Sequence, residues 1–150
     1  MRSRRMTYEE MMSLEPMSAL GDRSRTPGEV AAIRDGASSL ADYDARSVLE
    51  WVGGDLAVAA RVAAGEPLTV YRATGADEGL IWPGAYVTTS REYAEQHGRT
   101  HLGDFKILKA SAAASDLFPA SGQREFFFAP ADLRAWHRRH RPTSRHRRVP

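Results

Sequence analysis

The sequence of 150 residues contains no cysteine, and this absence excludes several classes of protein. Without thiols there can be no disulfide framework, no thiolate zinc or iron–sulfur site and no cysteine nucleophile. Long apolar runs are also missing, since none approaches the ~20 residues that cross a bilayer. The basic residues 1–6 are followed by no apolar segment of the kind that a secretory signal carries. We therefore expect a cytosolic protein of one domain, with no membrane contact.

Neither sign of charge dominates the whole chain, because it contains 21 lysines and arginines and 19 acidic residues. The distribution is nevertheless uneven. Residues 132–150 carry seven arginines and one acid, residues 1–25 carry a net charge of +1, and residues 26–131 carry −5. We interpret the chain as a flexible N-terminal segment at 1–25, an acidic folded domain at 26–131 and a basic C-terminal tail at 132–150.

Helix signals occupy the first half of the folded domain. The run from Thr26 to Glu29 has the form of a capping box, with a hydroxyl at the N-cap, proline at the first helical position and glutamate three residues after the cap. A second helix is predicted from residue 38 or 39 to the glycine pair at 53–54. A third helix is predicted after its cap at Asp55, ending at Gly65.

Strand signals dominate the second half. Alternating residues that favour β-structure predict strands at 67–73, 84–90, 104–110 and 123–128. Two short helices are also predicted: one at 91–97, capped by Ser90 and stopped by Gly98, and one at 133–138, capped by Asp132. Because the helices come first and most strands follow them, we expect an α+β fold with mostly antiparallel strands and not an alternating α/β fold.

Strand periodicity decides which of these side chains can meet, because alternate residues share a face. Tyr86, Thr88 and Ser90 would share one face of the second strand, and Gln123 and Glu125 one face of the last. Taken singly, an arginine at a strand end, hydroxyls on a strand and a carboxylate on an edge strand are more often structural than functional. The functional interpretation therefore depends on the order of these residues along the chain.

That order consists of three short motifs: Tyr71-Arg72 near the end of one strand, Thr88-Thr89-Ser90 at the end of the next, and Gln123-Arg124-Glu125 at the start of a late strand. Over about residues 66–130 this set resembles the Arg–Ser–Glu class of the ADP-ribosyltransferase superfamily. The stretch 87–98 is also similar to small phage-type transferase domains, including those embedded in phage polyvalent proteins. Thr88 stands where the family has its first serine.

The resemblance implies a split β-sheet core and a site that takes NAD as its substrate. Glu125 would stabilise the positive charge that develops on the ribose in an oxocarbenium-like transition state. Arg72 would hold the diphosphate, Thr88 would orient Glu125 by a hydrogen bond, and Gln123 would position the acceptor. The other contacts to NAD would come from Tyr71, Thr89 and Ser90, and from an aromatic ring that stacks on nicotinamide, either Tyr93 or Tyr86.

The function implied is mono-ADP-ribosyl transfer to a macromolecule, more readily a protein than a nucleic acid, by a phage or bacterial effector in the host cytosol. With water as the acceptor, the same site would make an NAD glycohydrolase. Two further alternatives stay open. One is a non-catalytic module that contacts nucleic acid through residues 134–148 and Trp136. The other is a degenerate transferase fold that binds a partner without turnover.

The histidines predict no metal site. Three of the five lie among the arginines of the basic tail. His97 and His101 are four residues apart, but Gly98 between them is expected to break the helix, and no second carboxylate stands at ligand spacing. The transferase hypothesis makes one geometric demand: Arg72, Thr88 and Glu125 must converge on a single cleft.

Overall fold

The computed structural model describes residues 25–75, 79–120 and 122–140. In this part of the chain three helices precede the first strand, and the strands form two antiparallel sheets, so the predicted α+β class is confirmed. No helix among the described residues is long and apolar enough to span a bilayer. The flexible segment predicted at 1–25, except Arg25, and the last ten residues of the predicted tail lie outside the described residues.

Helix α1 spans Pro27–Gly36 and begins as the capping box predicts. The backbone N–H of Glu29 donates to Thr26 Oγ1 across 3.1 Å, and the N–H of Thr26 donates to the Glu29 carboxylate across 2.7 Å. The inner face of the helix carries Val30 and Ile33, which are 1% and 0% exposed. A local capping signal and a two-residue apolar face are therefore enough to place this helix.

The second predicted helix is wrong as a single element. A 3-10 turn spans Leu40–Asp42, and helix α2 then spans Ala45–Trp51. The break occurs because Asp44 adopts an extended conformation and its carboxylate accepts the N–H of Ser47 across 2.8 Å, which makes it a new N-cap. Helix α3 spans Leu56–Ala63 and is capped by Asp55 as predicted.

The first sheet has two strands. Strand β1, Leu68–Thr74, pairs antiparallel with β3, Lys106–Ala112, and no other described strand pairs with β3. The only two lysines of the chain, Lys106 and Lys109, are exposed side chains of this edge strand. Lysines on an edge strand discourage pairing with other chains, so their position fits the free edge.

The second sheet has three short strands, β2 at Tyr86–Val87, β4 at Leu117–Pro119 and β5 at Phe126–Phe128, with β5 in the middle. Strand β4 was not predicted. Because side chains alternate along a strand, Phe126 and Phe128 face one hydrophobic cluster and Phe127 faces the other. The three consecutive phenylalanines thus fill the core on both sides of the sheet.

Two predicted strands are shorter than the sequence pattern suggests. Only Tyr86–Val87 of the predicted strand 84–90 pairs with β5. Thr88 instead forms an isolated antiparallel bridge to Tyr71, with N···O distances of 2.8 and 3.0 Å, and this bridge joins the two sheets. The strand predicted at 123–128 begins only at Phe126, because Arg124 has a positive φ of 68°. Gln123 therefore lies in a turn and shares no strand face with Glu125.

Helix α4 spans Arg91–His101, so the predicted stop at Gly98 is wrong. The glycine serves packing: a Cβ at this buried position would lie 2.4 Å from the ring of Phe105. The helix therefore continues, and Tyr93, His97 and His101 follow one another at intervals of four residues on one face.

Helix α5 spans Leu133–Arg139 and is capped by Asp132, whose carboxylate accepts the N–H of Ala135 across 2.9 Å. Its Trp136 is 3% exposed and belongs to the larger hydrophobic cluster. The ring of His140 stacks on Trp136 with centroids 4.2 Å apart. The basic segment that we predicted as a tail from residue 132 thus begins as a helix packed on the core.

Candidate active site

Four segments carrying the predicted motifs meet beside the bridge that joins the two sheets. They are the end of β1, the chain after β2, the first two turns of α4 and the turn before β5. The bridge between Tyr71 and Thr88 brings the first two together, and α4 begins at once after Ser90. Motifs that are more than fifty residues apart along the chain are neighbours in the fold.

Arg72 is the most buried charged residue at this junction, with 4% of its surface exposed. Its guanidinium donates to the backbone carbonyl of Tyr86 across 3.1 Å, which ties β1 to β2. A buried charge needs such hydrogen bonds to offset the loss of water. The position gives Arg72 a structural role and places positive charge in the site, while its contact with a diphosphate stays a prediction.

Glu125 is held by a tyrosine. The hydroxyl of Tyr93 donates to Glu125 Oε2 across 2.5 Å, and both residues are half-buried. Burial first, and then the hydrogen bond to Glu125, raise the pKa of the Tyr93 phenol above its ordinary value of about 10. The phenol therefore keeps its proton near neutral pH and remains a donor. This fixes one carboxylate oxygen and leaves Glu125 Oε1 to accept from another group.

The predicted hydrogen bond between Thr88 and Glu125 is replaced by a longer route. Thr88 Oγ1 accepts the N–H of Ser90, and Ser90 Oγ accepts the N–H of Tyr93, each across 3.1 Å. The hydroxyl of Tyr93 then reaches Glu125. Thr88 is 0% exposed and Thr89 7%, so both support the strand from inside.

The turn that presents Glu125 is anchored to the end of α2. The N–H of Arg124 donates to the carbonyl of Trp51 across 2.8 Å. The Arg124 side chain then passes close over Gly53, where a Cβ would collide with Arg124 Nε. Among the described residues Arg124 is the one non-glycine with a positive φ. Such strain persists only where the surroundings impose it, and it often marks functional sites.

A cleft of about 320 Å³ lies beside this turn. It is lined by the exposed face of α4 and by the strained arginine: Tyr93, Gln96, His97, Thr100, His101 and Arg124. Two of these residues are the hydrogen-bond partner and the chain neighbour of Glu125. A larger cavity of about 550 Å³ lies between β3 and α5 and includes none of the predicted site residues. Of the predicted site residues only Tyr93 lines the smaller cleft, so the expected convergence of Arg72, Thr88 and Glu125 on one cleft is not seen in its lining. We take this cleft as the candidate site because it is lined by the hydrogen-bond partner of Glu125 and by the residue before it.

The two aromatic candidates for stacking on nicotinamide differ in access. Tyr86 is 2% exposed, and its ring packs on Phe127 with centroids 4.6 Å apart. Burial raises the pKa of its phenol, the positive charge of Arg25 lowers it, and the negative charge of Glu125 raises it. Tyr93 lines the cleft. Of the two rings, Tyr93 is therefore the one that a ligand can reach.

His97 is the site residue that sequence reasoning missed. It lines the cleft one turn after Tyr93, and its Nε2 is buried without a hydrogen-bond partner among the described residues. Burial first, then the neighbouring His101, lower the pKa of its imidazole; Glu125 raises it and Arg72 lowers it. The spacing of 93, 97 and 101 was the available signal, and the expected helix break at Gly98 concealed it.

The structure thus brings Arg72, Thr88 and Glu125 to one junction. Arg72 and Glu125 both lie within electrostatic reach of His97, and Thr88 connects to Glu125 through Ser90 and Tyr93. Gln123 is exposed in the turn, two residues before Glu125, and Tyr71 is half-buried on β1. Among the described residues no group of three histidine or acidic side chains is arranged to hold a metal ion.

No family model, curated protein or solved structure matches this chain.

Proposed function

We propose that this chain is an NAD-dependent mono-ADP-ribosyltransferase that cleaves the nicotinamide–ribose bond and transfers ADP-ribose to a macromolecular acceptor. The observation that carries the proposal is the carboxylate of Glu125, held by Tyr93, which itself lines the cleft. Cleavage of the bond leaves positive charge on the ribose ring. A carboxylate fixed in advance stabilises that charge without having to reorganise during the reaction.

The neighbouring residues fit the same chemistry. Glu125 Oε1 accepts a hydrogen bond from a ribose hydroxyl, because Oε2 is engaged by Tyr93. The Tyr93 ring faces the cleft and offers a surface for nicotinamide. Arg72 supplies positive charge on the side of the diphosphate, and the exposed Gln123 meets the acceptor. The order of the three motifs along the chain supports this assignment of roles.

The acceptor we propose is a protein, and the setting is a phage or bacterial effector acting in the cytosol of a host cell. Water as the acceptor would make the protein an NAD glycohydrolase. The two activities differ only in the group that attacks the ribose, so the residues around Glu125 serve both.

The test compares wild type with Glu125→Gln, using NAD labelled in its adenosine part and a cell lysate as the acceptor pool. Glu92→Gln is the matched control, since Glu92 is an exposed residue in the first turn of α4. We expect Glu125→Gln to lower the rate of nicotinamide release by about 10²- to 10³-fold, and the control to release nicotinamide at the wild-type rate.

Each outcome decides between the activities. Label on protein that disappears in Glu125→Gln supports the transferase. Nicotinamide release without transferred label supports the glycohydrolase. A folded wild type that releases no nicotinamide rejects both and leaves a binding protein.

The nucleic-acid module is the second candidate, and one observation favours it: the basic residues of α5 are exposed along the helix. Trp136, however, is buried in the core and cannot stack on bases. Contact through this segment would therefore use phosphates alone and would weaken steeply with salt.

A further inference from the structure

The proposed reaction releases a proton from the acceptor, and a base must take it up. Nicotinamide leaves as a neutral molecule with the electron pair of the bond between C1′ and its ring nitrogen. The acceptor then forms a new bond to C1′, and an O–H or N–H acceptor must lose its proton. Gln123 cannot take this proton, because an amide is not a base near neutral pH. Glu125 is already engaged with Tyr93 through Oε2, and in the proposed function its Oε1 accepts from a ribose hydroxyl.

His97 is the described residue that meets the requirement by position. It lies one helical turn after Tyr93, on the face of α4 that lines the cleft. Its Nε2 is buried and has no hydrogen-bond partner among the described residues. Buried polar atoms are nearly always paired. To pair with a group that enters the cleft, Nε2 must be brought to the cleft surface by rotation of the imidazole about its Cβ–Cγ bond.

The charges around His97 favour the neutral, proton-accepting form. On its own helix it faces His101; from the turn before β5 it faces Glu125 and Arg124; from β1 it faces Arg72. Burial, His101 and Arg72 lower the pKa of its imidazole, and only Glu125 opposes them. The negative charge of Glu125 raises the pKa of His97 and so favours the imidazolium that forms when His97 accepts a proton.

We propose that His97 is the general base that removes the proton from the acceptor as the acceptor attacks C1′ of the ribose. The inference rests on the proposed transferase function and deepens it. It also restricts the chemistry of the acceptor: a hydroxyl, an amine, a guanidine or water needs a base, whereas a carboxylate needs none.

The experiment follows transfer of ADP-ribose from NAD to agmatine, a soluble guanidine, and to water, in wild type, His97→Gln and His137→Gln. Glutamine keeps the hydrogen-bonding capacity of the imidazole but cannot act as the base. His137 is an exposed histidine on α5 and gives the matched substitution away from the cleft. We expect His97→Gln to lower the transfer rate by about 10²- to 10⁴-fold with little change in the Kd for NAD. The transfer rate of His137→Gln should match that of wild type.

Two further measurements separate a base from a structural residue. We expect the transfer rate of wild type to rise with pH to a plateau, with the midpoint of the rise below the ordinary histidine pKa of about 6.5. We expect His101→Gln to move that midpoint to higher pH, because His101 is one of the groups that lower the pKa of His97, and this variant keeps His97 in place. Added imidazole restores transfer in His97→Ala by at least about tenfold in a saturable manner, a recovery expected only where a missing base limits the rate.

The outcomes distinguish this inference from the function on which it rests. If wild type releases no nicotinamide, the proposed function fails. If wild type is active and Glu125→Gln is not, but His97→Gln keeps transfer within about threefold, His97 is not the base. If His97→Gln does not fold, the pH dependence of the transfer rate decides. A midpoint that is the same in His101→Gln as in wild type overturns the inference, and a midpoint that moves to higher pH supports it.

Discussion

Tyr93 and Glu125 join two parts of the chain that are 32 residues apart, through a hydrogen bond of 2.5 Å between the phenol and the carboxylate. The bond connects helix α4 to the turn before β5. It also ends the route that begins at Thr88 and passes through the N-cap of α4. Since α4 carries the face that lines the cleft, this contact fixes the carboxylate relative to the helix.

Removing the phenol tests this contact directly. We expect Tyr93→Phe to lower the free energy of unfolding by about 1.5–3 kcal/mol, because the lost hydrogen bond involves a charged partner. The measurement is urea denaturation, with Tyr43→Phe as the control, because Tyr43 packs on Trp51 and makes no hydrogen bond to Glu125. In a double-mutant cycle with Glu125→Gln the two losses should be less than additive. Fully additive losses would show that the two groups do not interact in solution.

The pH dependence of stability follows from the same pair. Burial and the hydrogen bond to Glu125 raise the pKa of Tyr93 in the folded state above its unfolded value of about 10. The stabilisation is therefore complete below pH 10 and is lost as the pH rises through the folded pKa. We expect the free energy of unfolding of wild type to fall more steeply than that of Tyr93→Phe as the pH rises above about 10. Equal slopes would contradict the shift.

The glycine pair after α2 provides a matched test of the turn that holds Glu125. Gly53 and Gly54 both have positive φ, of 70° and 83°, so alanine at either position costs about 1–2 kcal/mol. Only at Gly53 does a Cβ collide with Arg124; at Gly54 no neighbouring atom lies within 4 Å. We expect Gly53→Ala to slow nicotinamide release and Gly54→Ala to leave the rate near wild type. Equal rates would show that the anchoring of Arg124 does not affect the carboxylate.

The basic C-terminal segment must be cut after residue 140 to test its role. Ending the chain at residue 130 would remove Trp136 from the core, and loss of a buried tryptophan costs about 3–5 kcal/mol. We expect a chain ending at His140 to keep its melting temperature and its nicotinamide release. Retention of polynucleotide by the full chain at low salt, lost in the shortened one, would favour the nucleic-acid module. A large drop in melting temperature would instead show that 141–150 stabilise the fold.

Local chemistry explains what the sequence could predict. The capping box at Thr26 and the caps at Asp55 and Asp132 use hydrogen bonds between near neighbours along the chain, so the residues themselves contain the information. The burial of Phe126, Phe127 and Phe128 on two faces follows from strand geometry in the same way. Asp44 is also a residue type that caps helices, but the apolar spacing across it predicts one continuous helix.

Tertiary contacts explain what could not be predicted. Gly98 was expected to stop a helix, yet it admits the ring of Phe105, which lies seven residues further along the chain. Gly53 is expected to end a helix, and its lack of a side chain also leaves room for the side chain of Arg124. The positive φ of Arg124, which takes Glu125 out of the strand, is imposed by contacts that no periodicity records. The motif order located Glu125 and Tyr93, but it could not show that they bind each other.

The two exposed lysines on β3 have a practical consequence. All other side-chain cations of the folded body are arginines or histidines, so a reagent that acylates side-chain amines can attach only to this one strand. Lys106 and Lys109 lie three residues apart on the free edge of the two-stranded sheet, on an element that contributes nothing to the lining of the cleft. Because the chain also lacks cysteine, one introduced thiol near Glu125 would accept a second dye without competition. The protein is therefore well suited to fluorescence measurements of distance across the cleft.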